Sequence, residues 1–520
     1  MATVAPTVSS PPPEARPPAD TDTRFFGHPR GLSTLFFTEF WERFSYYGMR
    51  AILILFMTAP IAAGGLGFGT AKAGVVYGTY TSLVWFASLP GGWIADRFLG
   101  QRRATLYGGI VIMLGHIFLA IPSISTFYLG LACVVLGTGL LKPNVSTMVG
   151  QLYSEQDARR DAGFSLFYMG INLGAFVSPL VCGWLAQGPE FGAILQKLGL
   201  RPESSWHWGF GAAAVGMFFG VLRYLRGWKY LGDSGMRPVI PDDPSEQVRN
   251  RRWLQGGILG TIGIVVAIYA LGRSGLLHVT PEAVGDAFGV GLLIVTVVLW
   301  TGLLGLRSWT HVERKRLLTI LCLFLASVVF WSLFEQAGST LNLFAERSTN
   351  NRAFGWSFPA SWFQSVGAIF IVLLAPVFAW LWLKLGRRDP SSPTKFVFGL
   401  IFVGLGFAVL IPAATLAATG VKVSPWWLTL TYLLHTIGEL CLSPVGLSAT
   451  TKLAPARVGG LMMGVWFLSL SLGNYLGGRV AGLYESFALP TLFGVVGGFA
   501  IVAGVVLALA VRPINKMLKT

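Results

Sequence analysis

The sequence predicts an all-α polytopic membrane protein with fourteen transmembrane helices, and three observations support this fold class. First, 53% of the 520 residues are hydrophobic and only 12% are charged, whereas soluble domains average about 25% charged residues. Second, apolar segments of about 20 residues or more, the length that crosses a bilayer, recur along the chain. Third, 28 of the 39 lysines and arginines fall in loops on one predicted side of the membrane and 7 on the other. This positive-inside bias predicts cytoplasmic termini and explains the net charge of +16 without a nucleic-acid partner.

The predicted spans are arranged as six, two and six. They lie at 32–60, 73–96, 104–122, 126–149, 162–186, 208–228, then 254–272 and 284–306, then 317–345, 358–385, 395–415, 424–451, 459–483 and 489–511. The predicted organisation is a tail over 1–31, a six-helix bundle over 32–230, a linker with two extra helices over 231–310, a second six-helix bundle over 311–512 and a tail over 513–520. The proline-rich start of the chain has no continuous apolar run, which favours a disordered cytoplasmic tail over a signal peptide.

The two bundles carry signs of an internal repeat. A Gly-Arg-rich loop follows the second span of each bundle, at 100–103 and at 386–388. The fourth span of each bundle contains a proline, Pro143 in the first and Pro444 in the second. Proline-interrupted helices at matching positions point to a binding site near the middle of the membrane.

The first span carries an unusual set of polar side chains for a membrane helix. At about 100° per residue they share one face, opposite an aromatic face suited to lipid. They are Glu39, Glu42, Arg43, Tyr46, Tyr47 and Arg50. Charges at membrane depth cost about 2.5–3.5 kcal/mol each on insertion scales and persist mainly where they face a cavity or a partner. The alternative is a helix that begins later, with both glutamates among the headgroups, but charges of both signs on one face favour a cavity.

Four more ionisable residues within apolar spans bear on the function. Lys142 lies well away from both ends of its span and needs a carboxylate or a substrate anion, with snorkelling to the interface as the alternative. Glu335 lies far from any basic loop, in the apolar setting that a coupling proton site requires. Glu439 lies beside the second proline break and complements the cationic residues of the first bundle. His435, one turn earlier, is interpreted as a hydrogen-bonded structural histidine.

Several of these residues fall in motifs that resemble a known family. Glu39-Phe40-Trp41-Glu42-Arg43-Phe44 is similar to the ExxERF motif of proton-dependent oligopeptide transporters, a branch of the major facilitator superfamily. The stretches Gly91–Arg103 and Phe164–Gly174 resemble two further signatures of that family. With Lys142-Pro143-Asn144 and the Glu439 region, the resemblance spans nearly the whole chain. It implies the major facilitator fold, with the inserted pair of helices at the periphery as in bacterial members.

The resemblance also implies a function. It predicts a proton-coupled symporter of the bacterial inner membrane that imports di- and tripeptides by alternating access, with protons and the lipid bilayer as its other partners. It assigns proton coupling to Glu39, Glu42, Arg43, Lys142 and Glu335. The predicted peptide-binding residues are Arg43, Tyr46, Tyr47, Arg50, Tyr80, Lys142, Asn172, Glu439 and Trp466.

Some of these assignments carry alternatives. The resemblance places Lys142 beside the first-helix motif, with Glu42 as its expected partner. Asn172 is either a peptide ligand or an interhelical hydrogen-bonding residue. Tyr80 is included because Trp85 replaces a tyrosine expected late in the second span. The histidine that animal members carry in this span is absent, so proton coupling cannot follow that route.

Three remaining residues have expected roles outside the peptide-binding set. Asn474 is expected to line the same cavity as Trp466, whereas Arg479 is expected to snorkel towards the far interface. Asp96, within the second signature, is expected to accept hydrogen bonds from arginines in a conformational latch. The alternative for this loop is an ordinary positive-inside connection.

The charge pattern also indicates which class of substrate the site can bind. A peptide zwitterion has a carboxylate and an ammonium, which suits cationic residues on one bundle and Glu439 on the other. The alternative substrate is another small anion such as nitrate, although a simple anion has no ammonium to pair with Glu439. The sequence has no HExxH, Walker or GxSxG motif and no cysteine–histidine cluster, so we expect neither an enzyme nor a cofactor or metal site.

Overall fold

The computed structural model describes residues 23–519 except 155, 237, 239–240, 242, 275–278, 307–308 and 456–457. Most of the predicted tail over 1–31 therefore lies outside the described residues. The first seven helices are α1 (Arg30–Thr58), α2 (Thr70–Ile94), α3 (Gln101–Leu119), α4 (Ile124–Gln151), α5 (Arg160–Gln187), α6 (Pro189–Lys197) and α7 (Ser205–Gly227). The inserted pair is α8 (Pro244–Arg273) and α9 (Pro281–Gly305). The last seven are α10 (His311–Phe334), α11 (Thr340–Ser348), α12 (Phe363–Leu385), α13 (Ser392–Ala417), α14 (Trp426–Leu453), α15 (Gly459–Ala481) and α16 (Leu489–Lys519).

The predicted all-α class is confirmed, and each predicted span coincides with a helix. The ninth span differs, because α10 and α11 are separated by a tight 3₁₀ turn over Glu335–Gly338. Two further elements were not predicted: the short helix α6 and a two-stranded hairpin, β1 (Arg352–Ala353) with β2 (Trp356–Ser357). Both lie in connections between spans, where hydropathy carries little information.

Helix length and composition alone identify only part of this architecture. Nine helical segments within the described residues are long and apolar enough to cross a membrane. The charged helix α1 is not among them, because Glu39, Glu42, Arg43 and Arg50 interrupt its apolar sequence. These side chains are buried within the protein, so the free-energy cost of exposing a charge to lipid does not arise.

Two bundles and two outer helices make up the fold. In the first bundle α1 packs on α5 and α7, while α4 packs on α2 and α3. In the second bundle α13 packs on α14 and α16, while α10 packs on α15 and α16. Helix α9 packs against α2, α10 and α15, whereas no described side chain of α8 is buried. The exact limits 32–230, 231–310 and 311–512 stay a prediction.

The two bundles meet through α2 with α15 and through α5 with α12. We call the side on which α1 begins the near side, and the side on which it ends the far side. Trp362 Nε1 donates to the Leu180 carbonyl at 3.0 Å, and Ser365 Oγ donates to the Phe176 carbonyl at 2.7 Å. Gln187 Nε2 donates to Glu346 at 3.1 Å. These bonds join the bundles in the far half of the molecule.

Glycines allow α2 and α15 to approach closely in that far half. A Cβ added to Gly78 would lie 2.7 Å from the Cα of Gly478, a distance that real Cβ atoms do not tolerate. We therefore expect Gly78→Val to force the two helices apart and to disfavour the conformation with a closed far side. Labelling of a cysteine at Tyr168, which is 44% exposed, by an impermeant maleimide supplied from the near side should fall several-fold.

Gly257 supplies a matched control for that prediction. It lies on α8, and a Cβ added there would meet no atom within 4 Å, so Gly257→Val should leave the labelling unchanged. Equal labelling in both variants would show that the glycine contact does not determine which side is closed.

Candidate functional site

The charged face of α1 forms a compact ion cluster. Arg43 Nε lies 3.1 Å from Glu39 Oε1 and also contacts Glu42 Oε2. The three side chains are almost fully buried, Glu42 completely so. The glutamates therefore do not lie among the headgroups, which was the alternative interpretation of this span. Arg43 Nη2, Glu39 Oε2 and Glu42 Oε1 have no hydrogen-bond partner in the described part of the chain, so the cluster keeps free donors and acceptors.

A second buried ion pair joins the two bundles. Arg50 Nη2 lies 2.6 Å from Glu335 Oε2 and donates to the Glu335 carbonyl at 3.2 Å. Arg50 Nε donates to the hydroxyl of Tyr77 at 2.8 Å. Sequence reasoning singled out Arg50 and Glu335 separately, but it neither paired them nor included Tyr77. The sequence did contain a signal for this pair, because each of these opposite charges at membrane depth requires a partner.

The helix break after α10 shapes the surroundings of this pair. Glu335 is the first residue of the 3₁₀ turn, so its side chain and its carbonyl both face Arg50. Gly338 packs against Tyr77 and Arg50 so closely that a larger residue would displace them. Asn342 on α11 donates to the Ala51 carbonyl at 2.7 Å, a second link between α1 and the other bundle.

Lys142 does not contact Glu42, and that expected pairing is wrong in this structure. Its Nζ lies 3.3 Å from the ring centroid of Trp85, a cation–π contact. Glu42 is paired with Arg43. Sequence reasoning considered Trp85 only as a replacement for a family tyrosine and did not include it in the site.

The predicted tyrosines lie around the cationic residues. The Arg43 guanidinium carbon lies 5.4 Å from the ring centroid of Tyr46 and 5.9 Å from that of Tyr47. Arg50 approaches the ring of Tyr47 at 5.8 Å. Tyr80 is buried, and its hydroxyl has no hydrogen-bond partner among the described residues.

Asn172 and Tyr168 lie one turn apart on α5. The amide of Asn172 donates to the Tyr168 carbonyl at 3.0 Å, a bond within its own helix. Asn172 is buried, whereas Tyr168 is exposed. This hydrogen bond from the Asn172 side chain is therefore not the interhelical hydrogen bond that the alternative interpretation required.

The second bundle contributes Glu439 and Trp466. Glu439 is half-buried, and its Oε2 has no hydrogen-bond partner within the described ranges. Trp466 is buried and packs its ring against Gly446 of α14.

Two further polar residues of the second bundle lie in α14 and α15. Asn474 donates to the Leu470 carbonyl of its own helix at 3.0 Å. His435 packs between Phe334 and Phe407, at centroid distances of 6.3 and 5.3 Å.

Two predictions about residues at the ends of spans need correction. Arg479 does not merely snorkel, because its Nη1 lies 2.6 Å from Asp286 Oδ1 and ties α15 to α9. Asp96 accepts from the side chain of Gln101 at 3.2 Å, and no arginine among the described residues is shown donating to it. Arg102 instead donates to the carbonyls of Ser234 and Gly232, at 3.1 and 2.6 Å. These bonds anchor the loop that follows α7 to the near side of the first bundle.

The site as a whole is a cluster of charged and aromatic side chains where the two helical bundles meet. Its deep end contains the buried Arg50–Glu335 pair, while Lys142, Trp85, Glu439 and Tyr168 retain partial exposure towards the near side. No group of three or more histidine, cysteine, aspartate or glutamate side chains suited to a metal ion occurs in the described part of the chain.

The arrangement defines a class: a major facilitator transporter, with two helical bundles around a central charged site. Comparison with known sequences narrows it, because the model of the POT family (PTR2) matches residues 102–495. The chain is 40% identical over 510 residues to the peptide transporter YePEPT of Yersinia enterocolitica, covering 95% of this chain and 96% of that protein. It is 36% identical over 510 residues to the di-/tripeptide transporter of Lactococcus lactis subsp. cremoris, covering 96% and 98%. The chain therefore belongs to the POT family.

A solved structure agrees with this assignment. The crystal structure of a peptide transporter POT in complex with sulfate is 42% identical in sequence and superimposes with a TM-score of 0.86. The match covers 95% of this chain and 97% of that one.

Proposed function

We propose that this protein is a proton-coupled symporter that imports di- and tripeptides by alternating access, and that it acts as a transporter rather than as an enzyme. We place it in the inner membrane of a bacterium, with the near side and both termini in the cytoplasm. The relatives named as peptide and di-/tripeptide transporters support this substrate class. The positive-inside bias of the loops supports the orientation.

One observation carries the proposal: the site offers an unused donor and an unused acceptor on opposite bundles. Arg43 Nη2 on α1 and Glu439 Oε2 on α14 are buried without a hydrogen-bond partner in the described residues. Buried polar groups left without partners are costly, so both atoms are suited to pair with a bound ligand. A peptide supplies both partners, a carboxylate for the cationic side and an ammonium for Glu439.

The surrounding residues fit the body of a short peptide. Tyr47 lies beside Arg43, whose guanidinium carbon is 5.9 Å from its ring centroid, at the end of the site that we assign to the peptide carboxylate. Lys142 adds a second cation on the side assigned to the carboxylate. We assign Tyr46, Tyr47, Tyr80, Asn172 and Trp466 to the walls that contact the peptide backbone and side chains.

We assign proton coupling to the two buried ion clusters. Glu335 pairs with Arg50 across the bundles, and protonation of this carboxylate would remove one charge-assisted link between them. Glu39 and Glu42 share Arg43, which we also assign to the peptide carboxylate. Protonation and substrate binding would then favour the same transition between facing states, as uphill import requires.

Uptake into liposomes tests the proposed substrate class against transport of another small anion such as nitrate. Purified protein in liposomes with an acidic exterior should accumulate a labelled dipeptide and lose this accumulation when a protonophore collapses the gradient. A preparation that accumulates nitrate but no dipeptide would favour the alternative and overturn the proposed substrate class.

The assigned polarity of the peptide yields a separate prediction. Glu439→Gln removes the charge that we assign to the peptide ammonium while keeping the shape of the side chain. Affinity for a free dipeptide should fall by about tenfold or more, since a buried charge pair loses one partner. The N-acetylated dipeptide, which has no ammonium, should lose little further affinity. Equal losses for both ligands, measured by competition for uptake, would make Glu439 a structural residue.

A further inference from the structure

The contact between Lys142 and Trp85 places a cation of the site at the seam between the two bundles. Lys142 belongs to α4 and Trp85 to α2, and Nζ lies 3.3 Å from the indole centroid. In the part of the chain that the structure describes, no carboxylate forms an ion pair with this lysine; the ion pairs of the site go to Arg43 and Arg50. The indole is therefore the group that stabilises the ammonium here.

The backbone around this contact is fixed by close helix packing. A Cβ added to Gly139 would lie 2.7 Å from the Ala87 carbonyl oxygen, so α2 and α4 touch one turn from the contact. A relative movement of α2 and α4 that separated Trp85 from Lys142 would therefore lose this close packing.

The same indole also reaches the other bundle. Its ring stacks on Phe467 of α15, with centroids 5.9 Å apart and an interplanar angle of 28°. One turn away, Ser82 and Ser471 exchange hydrogen bonds, in which each hydroxyl donates to the other residue's carbonyl, at 2.7 and 3.0 Å. Trp85 thus contacts a charge of the first bundle and a helix of the second bundle at once.

We propose that Trp85 is a positioning residue that holds Lys142 away from Glu42 and available to the substrate carboxylate, and that Phe467 supports the indole in this place. The inference rests on the proposed function, because the carboxylate is that of a peptide. Without the indole, Lys142 would move towards the nearby acidic cluster of α1, which then competes with the substrate for the ammonium. When substrate binds, the ammonium exchanges the ring for the carboxylate.

The position of the lysine can be measured without transport. Reductive ¹³C-methylation keeps the charge of lysines, and a methyl group that lies over an indole has an upfield NMR resonance. The shifted resonance should disappear in Lys142→Arg, which assigns it, and return to the ordinary lysine position in Trp85→Leu. Phe467→Leu should move it part of the way. A Lys142 resonance at the ordinary position in the wild-type protein overturns the proposal, whatever the protein transports.

Transport then tests the consequence for substrate. Trp85→Leu should raise KM for a dipeptide by about tenfold with little change in kcat, because the acidic cluster of α1 then competes with the substrate for the ammonium. Trp85→Phe, which keeps an aromatic face, should stay within about threefold of the wild-type KM. Equal effects of the two substitutions would reduce Trp85 to a packing role. Adding dipeptide should move the Lys142 resonance of the wild-type protein away from its shifted position, and an unmoved resonance overturns the exchange step.

Discussion

Replacing Arg43 by alanine should abolish peptide binding and transport. The guanidinium contacts both Glu39 and Glu42, so the variant leaves two buried carboxylates without their cation in addition to removing the proposed ligand of the peptide. Breaking a buried ion pair by removing one partner costs about 3–5 kcal/mol. We therefore expect dipeptide affinity to fall by at least about 100-fold, measured by direct binding to the purified protein. Lys142→Ala should also lose transport, because it removes the second cation.

Arg43→Lys is the matched control for the charge itself. It restores a cation, but the lysine ammonium lacks the planar fork of donors with which a guanidinium can bind two carboxylates and a ligand at once. Binding should therefore recover only in part. Dipeptide amides, which lack the terminal carboxylate, should bind the wild-type protein much more weakly than free dipeptides do. If the amides bind as well as the free peptides, the carboxylate does not lie at Arg43.

Much of this architecture could be predicted because it follows from local physics. Hydropathy located the spans, and helical periodicity put Glu39, Glu42 and Arg43 on one face, where the structure brings them into contact. Burial of that face was predicted from the cost of charges in lipid.

What could not be predicted depends on which helices meet. Arg50 and Glu335 are 285 positions apart, and nothing in their local sequences pairs them. Trp85 became part of the site only because α2 and α4 approach at glycines, and Lys142 was expected at a carboxylate that Arg43 already occupies. Arg479 pairs with Asp286 on α9, and nothing in the sequence indicates that α9 lies against α15.

The 3₁₀ break between α10 and α11 is a further feature that hydropathy cannot detect. The segment from His311 to Ser348 reads as one continuous apolar span. The break at Glu335–Gly338 lets this glutamate present both its carboxylate and its carbonyl to Arg50. The departure from regular structure therefore falls at the residue to which we assign the proton.

Glu335→Gln should uncouple transport from the proton gradient without destroying the peptide site. Glutamine keeps the shape of the side chain and mimics a permanently protonated carboxyl group. Its amide oxygen can still accept from Arg50, whose bonds to the Glu335 carbonyl and to Tyr77 do not involve the carboxylate. We therefore expect the link between the bundles to weaken but the peptide ligands on α1 and α14 to stay in place.

Two transport assays separate these consequences. Counterflow, in which labelled and unlabelled peptide exchange across a membrane without a pH gradient, requires the site to reorient but needs no net proton movement. Accumulation against a peptide gradient requires both. Glu335→Gln should therefore retain measurable counterflow and lose proton-driven accumulation, whereas Glu42→Gln should impair both, because Glu42 also holds Arg43. If Glu335→Gln still concentrates peptide, the driving proton must be carried by the glutamates of α1, and the Arg50–Glu335 pair serves only to close the far side.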